Sequence, residues 1–94
     1  DEITSIGYMA FAYCYSLANI NFPSELVSIG NMAFFDCQNI TNVTFGEAFE
    51  TLGNYAFDGC ISLVEVRNLS STFVVDTSNQ YQTLLILIYI LLMI

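Results

Sequence analysis

The chain repeats itself every 23 residues: IGYMAFAYC at Ile6–Cys14 returns as IGNMAFFDC at Ile29–Cys37 and as LGNYAFDGC at Leu52–Cys60. Three units, 3–25, 26–48 and 49–71, align without a gap. Nine of the 23 positions are identical between the first two units and six between the second and third. A glycine, an alanine, a phenylalanine and a cysteine are common to all three. This constrains the fold more than any other feature, because 94 residues can bury only a modest share of their unfolded surface. A repeated unit escapes that limit by stacking, each coil burying its apolar positions against the next.

Each unit carries a strand signal. LANINF (Leu17–Phe22), ITNVTF (Ile40–Phe45) and LVEVRN (Leu63–Asn68) follow L-x-x-L-x-L, apart from Asn68 at the last place. Alternation of period two turns Ile20, Phe22, Val43, Phe45 and Val66 inward and their neighbours outward. Pro23-Ser24 and Gly46-Glu47 mark the turns that follow the first two strands. In the segment around the shared Ala-Phe, apolar residues at Ala33, Phe34, Cys37 and Ile40 recur at steps of one, three and three. That spacing predicts a short helical or 3₁₀ turn on the outer, convex side of the stack.

The shared residues then acquire roles. Gly7, Gly30 and Gly53 mark a tight turn or a close approach of neighbouring backbones. Phe11, Phe34 and Phe57 form an aromatic ladder, each ring contributing roughly 2–3 kcal/mol of burial. Ala10, Ala33 and Ala56 are small where coils pack closely. Cys14, Cys37 and Cys60 read as core thiols. A disulfide is the alternative, since equivalent residues of adjacent coils lie about 5 Å apart, but the side chains run parallel and the count is odd. A metal site has less support without a CxxC motif or any histidine.

The stretch ITSIGYMAFAYCYSLANINFPSEL, Ile3–Leu26, resembles the BspA-like, or Treponema-type, leucine-rich repeat, whose units run approximately I-x-x-I-G-x-x-A-F-x-x-C-x-x-L-x-x-I-x-L-P-x-x-L. Phe22 stands where that pattern has leucine, and the resemblance extends to about residue 69. It implies a leucine-rich repeat solenoid with parallel β-strands on the concave face and short helical or 3₁₀ turns on the convex face. It also implies a surface or secreted protein of bacteria or parasitic protists, adhering to host or matrix proteins. The pattern lapses at Asn68, and LSSTFVVDTSNQYQ (69–82) keeps no glycine, Ala-Phe or cysteine. Residues 1–71 are therefore expected as the array, a piece of a longer one, and 72–83 as a degenerate linker or cap.

Charge narrows the function. Nine carboxylates face one cation, Arg67, so the field repels nucleic acid. With no histidine and no lysine, the chain lacks the usual general base and the Schiff-base amine, and no nucleophile has an evident base partner. A cofactor-free, non-enzymatic module is the expectation. Acidic residues near the turns, among them Asp36, Glu47 and Asp58, make no calcium-loop pattern. The ligand face expected of this architecture is the row of outward strand positions: Asn19 and Asn21, Asn42 and Thr44, Glu65 and Arg67. The same residues also suit the solvated side of a half-buried sheet. Three N-x-S/T sequons at Asn39, Asn42 and Asn68 would accept glycans on a eukaryotic secretory route.

Leu84–Ile94, LLILIYILLMI, is a run of eleven apolar residues. As a helix it spans about 16 Å, half of a bilayer's hydrocarbon core. It reads as part of a transmembrane helix, as the end of a lipid-anchor signal, as a cap on the stack, or as an aggregation-prone strand. Membrane association is the preferred reading. The expectation is a protein-binding or adhesion module at the cell surface or secreted. The alternative is a structural spacer or an intracellular, cytoplasmic interaction scaffold.

Overall fold

The computed structural model describes residues 3–73 and 80–82, so the apolar run Leu84–Ile94 lies outside the described residues. Six short strands run in chain order: β1 (Ser5–Ile6), β2 (Asn19–Asn21), β3 (Ser28–Ile29), β4 (Asn42–Phe45), β5 (Thr51–Leu52) and β6 (Glu65–Asn68). They form two three-stranded parallel sheets, β1-β3-β5 and β2-β4-β6. Ser5 pairs with Ser28 and Ser28 with Thr51; Asn19 pairs with Asn42 and Asn42 with Glu65. Every pairing thus joins residues 23 apart, the period of the sequence.

The second sheet, β2-β4-β6, is the one the L-x-x-L-x-L pattern announces. The first is an addition, since a two-residue strand is too short to display the alternation that betrays a strand in a sequence. It fits ahead of the shared glycine in each coil. Its amides reach back one coil: Gly30 N donates to Ile6 O and Gly53 N to Ile29 O, both at 2.7 Å. Here the glycines are needed for proximity. A Cβ on Gly30 would lie 2.9 Å from Gly7 C and Tyr8 N, and one on Gly53 would meet Asn31 N and Gly30 C.

The Ala-Phe segments form turns, at 8–13, 31–36 and 54–59, the tighter of the two forms that the spacing predicts. Alternate amides take different partners. Ala33, Phe35 and Cys37 donate three residues back, to Gly30, Met32 and Phe34, in the manner of a 3₁₀ turn, whereas Met32, Phe34 and Asp36 donate to Asn54, Ala56 and Asp58 of the next coil at 2.7–2.9 Å. The backbone achieves this with left-handed residues every fourth position: Met9, Met32 and Tyr55, then Tyr13, Asp36 and Gly59. A left-handed bulky residue costs about 1–2 kcal/mol. The additional bonds between coils, each worth about 1 kcal/mol, offset that strain. A helix would satisfy its own amides and leave the coils unjoined.

The core runs through the middle coil, where Leu26, Ile29, Ala33, Phe34, Cys37, Ile40, Val43 and Phe45 are all buried. The phenylalanine ladder is present: Phe11, Phe34 and Phe57 stack with centroids 5.3 Å apart and planes within 7° of parallel. Phe22 and Phe45 form a second stack at 5.7 Å, which Phe49 continues at 4.5 Å. Beyond the third coil, Phe73 packs edge-on against Phe45 and Phe49. A 3₁₀ turn, Gln80–Gln82, lies beside the last turn: Tyr81 O accepts from Tyr55 N, and the buried Gln82 donates from Nε2 to Gly53 O.

Candidate strand-face binding surface

The outward residues of β2-β4-β6 stand in two rows fixed by the strand register. Asn19, Asn42 and Glu65 form one row, and Asn21, Thr44 and Arg67 the other. Asn19, Asn21, Glu65 and Arg67 are exposed, while Asn42 and Thr44 on the central strand are half-buried. Beneath them Val43, Phe45 and Val66 are buried in the core and seat the strands on it. All six residues singled out from the sequence therefore share one surface.

Within the first row the side chains order one another. Asn42 Nδ2 donates to Asn19 Oδ1 at 2.9 Å, and Thr41 Oγ1 donates to Asn42 Oδ1 at 2.8 Å. Thr41 Oγ1 also lies 3.3 Å from Ala18 O. Asn42 is thus fixed by both atoms of its amide, which leaves the Asn19 amide group directed outward at the head of the row. Thr41 is a further member of this surface, hidden in the sequence because it precedes β4 instead of alternating within it. Charge concentrates at the far end of both rows, where exposed Glu65 and Arg67 alternate on β6.

The three sequon asparagines have different surroundings. Asn39 is exposed and donates from Nδ2 to Tyr15 O. Asn42 belongs to the row just described. Asn68, half-buried, closes β6: its Nδ2 donates to Phe73 O at 2.9 Å while its Oδ1 accepts from Ser70 N at 3.1 Å. Ser70 and Thr72 hydroxyls then donate to Phe49 O at 2.6 and 2.9 Å. Asn68 is thus a structural residue at the point where the repeat pattern lapses.

The cysteines are free thiols, arrayed one per coil. Cys37 Sγ donates to Phe11 O at 3.0 Å and Cys60 Sγ to Phe34 O at 3.2 Å, so each thiol bonds the ladder residue one coil back. Burial raises the pKa of Cys37 and pushes that of Cys60 up to about 12, with the neighbouring Cys37 adding to the effect on Cys60. Such thiols are poor nucleophiles and poor ligands. Among the described residues, no group of three or more His, Cys, Asp or Glu side chains is placed to hold a metal ion.

No curated protein and no solved structure matches the chain. The family model described as BspA type leucine rich repeat region (6 copies) matches residues 1–90. Parallel pairing at the repeat period, a phenylalanine ladder and a cysteine in each coil are the structural counterpart of that match, and the chain belongs to the BspA-type leucine-rich repeat family.

Proposed function

We propose that this chain is a non-catalytic protein-binding module, of the adhesion type, that engages a host or matrix protein through the outward face of β2-β4-β6. The observation that carries this reading is the pair of parallel rows on one face, with Asn19, Asn42 and Thr41 ordered in advance of any ligand. Side chains already held in one geometry lose less entropy on binding. The rows span three strands, roughly 14 Å at normal sheet spacing, so they supply a small recognition patch within a larger contact.

The test is retention on immobilised matrix-protein extract, comparing the native chain with a variant carrying N21A, N42A and T44A together. Retention should fall at least tenfold while the melting midpoint stays within a few degrees, the small loss reflecting the Asn42–Asn19 bond. Equal retention of the two proteins would sink the strand-face assignment and favour a spacer or scaffold role.

The cell-surface or secreted location belongs to the same proposal, with Leu84–Ile94 as the element that associates with lipid. Deleting that segment should move the protein from the floating to the soluble fraction in a flotation assay with phosphatidylcholine vesicles. Among the described residues, no helix is long and apolar enough to cross a membrane. On a eukaryotic secretory route, Asn39 is the sequon whose exposure favours glycan transfer over Asn42 and Asn68.

A further inference from the structure

Away from the strand face, the outer turn of the third coil holds a reactive pair that the other two coils lack. Asp58 and Gly59 are adjacent, and every other aspartate and asparagine of the chain is followed by a residue that bears a side chain. At the same register the first coil has Ala12-Tyr13 and the second Phe35-Asp36. The two atoms of interest are Asp58 Cγ and the Gly59 nitrogen. A bond between them closes a cyclic imide, and a side chain on the following residue obstructs that closure.

The fold itself asks for the glycine. Gly59 lies in the left-handed region at φ +79°, and a Cβ there would lie 3.0 Å from Asp36 Cα. The turn thereby sets the least obstructed of amides behind an aspartate, and it does not tie the reacting groups down. Asp58 is exposed and its carboxylate has no hydrogen-bond partner among the described residues, whereas Asp36 Oδ2 accepts from Gln38 Nε2 at 3.4 Å. The Gly59 amide has no acceptor among the described residues. The Asp58 backbone, by contrast, is engaged on both sides: its amide donates to Tyr55 O at 3.2 Å and its carbonyl accepts from Asp36 N at 2.7 Å. The second of these bonds is one of those that lace the second coil to the third.

We propose that Asp58 is a site of self-modification, where the aspartyl residue rearranges to isoaspartate and unfastens the outer turn between the second and third coils. The Gly59 nitrogen attacks Cγ of the protonated side-chain carboxyl. The N–Cγ bond forms, the carboxyl hydroxyl departs with the amide proton as water, and the imide results. Water then opens the ring. Addition at Cγ restores aspartate; addition at the Asp58 carbonyl carbon breaks its bond to Gly59 N and leaves the chain running through Cβ and Cγ. One water is released and one taken up, so the composition is unchanged and no oxidant or enzyme takes part. The product has one more methylene in its backbone. Asp58 O becomes part of a free carboxylate, which the backbone no longer holds opposite Asp36 N. Neither Phe35 nor Ala12 has a carboxyl to offer, so this ageing falls on one joint of the stack. The proposal stands apart from the strand-face reading and survives its failure.

The test incubates the folded full chain for weeks at pH 7 in water enriched in heavy oxygen. Beside it are a free peptide of residues 54–62 and the D58E variant, whose longer side chain closes such a ring far more slowly. Digestion and mass spectrometry should find heavy oxygen and an isoaspartyl linkage at residue 58 of the native chain and neither in D58E. The isomerised protein, separated by chromatography, should exchange its Asp36 amide hydrogen at least tenfold faster than fresh protein, as read by NMR. Isomer in the peptide but none in the folded chain overturns the site, because the fold then keeps the two atoms apart. Heavy oxygen entering another aspartyl or asparaginyl residue first overturns it as well. An isomerised chain whose Asp36 amide stays protected overturns the unfastening of the turn.

Discussion

Cys37 and Cys60 show how a residue that invites a functional reading can serve packing alone. Each thiol is buried, hydrogen-bonded to a ladder carbonyl and displaced toward its neutral form by desolvation. Two consequences are measurable. At pH 8 a thiol reagent should label the half-buried Cys14 in the native protein, whereas Cys37 and Cys60 should react only after denaturation, as mass spectrometry of the adducts would show. The second concerns alkali. Cys60 shifts from 9.0 in the unfolded chain to about 12 when folded, so its contribution to stability is complete below pH 9 and is lost as pH rises toward 12, by about 1.4 kcal/mol per pH unit. Urea midpoints that stay level from pH 9 to 11 would contradict the burial of this thiol. Its burial was legible from the sequence, because one small apolar residue recurring in register beside an Ala-Phe pair has few other uses. The role of Asn68 was not: as a sequon it looked like surface, and only Ser70, Phe73 and the end of β6 give its amide a structural purpose.

At the scale of elements, the strands that face the candidate ligand were readable and the outer turns were only half so. Alternation in ITNVTF places Asn42 and Thr44 outward and Val43 and Phe45 inward, and β4 has that arrangement. The Ala-Phe segment has apolar spacing that a helix shares, but spacing reports which residues are buried, not where the amides go. Alternate amides cross to the next coil, and this requires left-handed residues that the sequence disguises as Met9, Met32 and Tyr55. One of the six left-handed positions does carry glycine. Gly59 has φ +79°, and a Cβ there would lie 3.0 Å from Asp36 Cα. G59A should therefore destabilise the protein by about 1–2 kcal/mol, through strain and contact together, visible as a lower urea midpoint at unchanged slope. An alanine tolerated without loss would mean that the turn can relax away from the wiring described here.

At the scale of the whole molecule, the period was enough to fix the family and the order of coils, because every unit repeats the same solution and every strand pair joins residues 23 apart. What the period left unread is what is not repeated: the contacts of Phe73, Tyr81 and Gln82 on the third coil and the open apolar cleft that described residues line on the first. The ligand is likewise not a property of the repeat, since Glu65 and Arg67 differ from Asn19 and Asn21 at equivalent places. The wiring of the turns also has a mechanical meaning. Each joint between coils is laced by amides from both sides, as between the second and third, where Met32, Phe34 and Asp36 reach forward while Gly53 and Val64 reach back, so releasing a coil means breaking both sets of bonds. Held by its two ends in optical tweezers, the stack should come apart by peeling, in steps that each free 23 residues and lengthen the chain by roughly 80 Å at full extension. A smooth, stepless extension would show that the coils are not joined in this way. Tension, on this account, is counted out in whole coils.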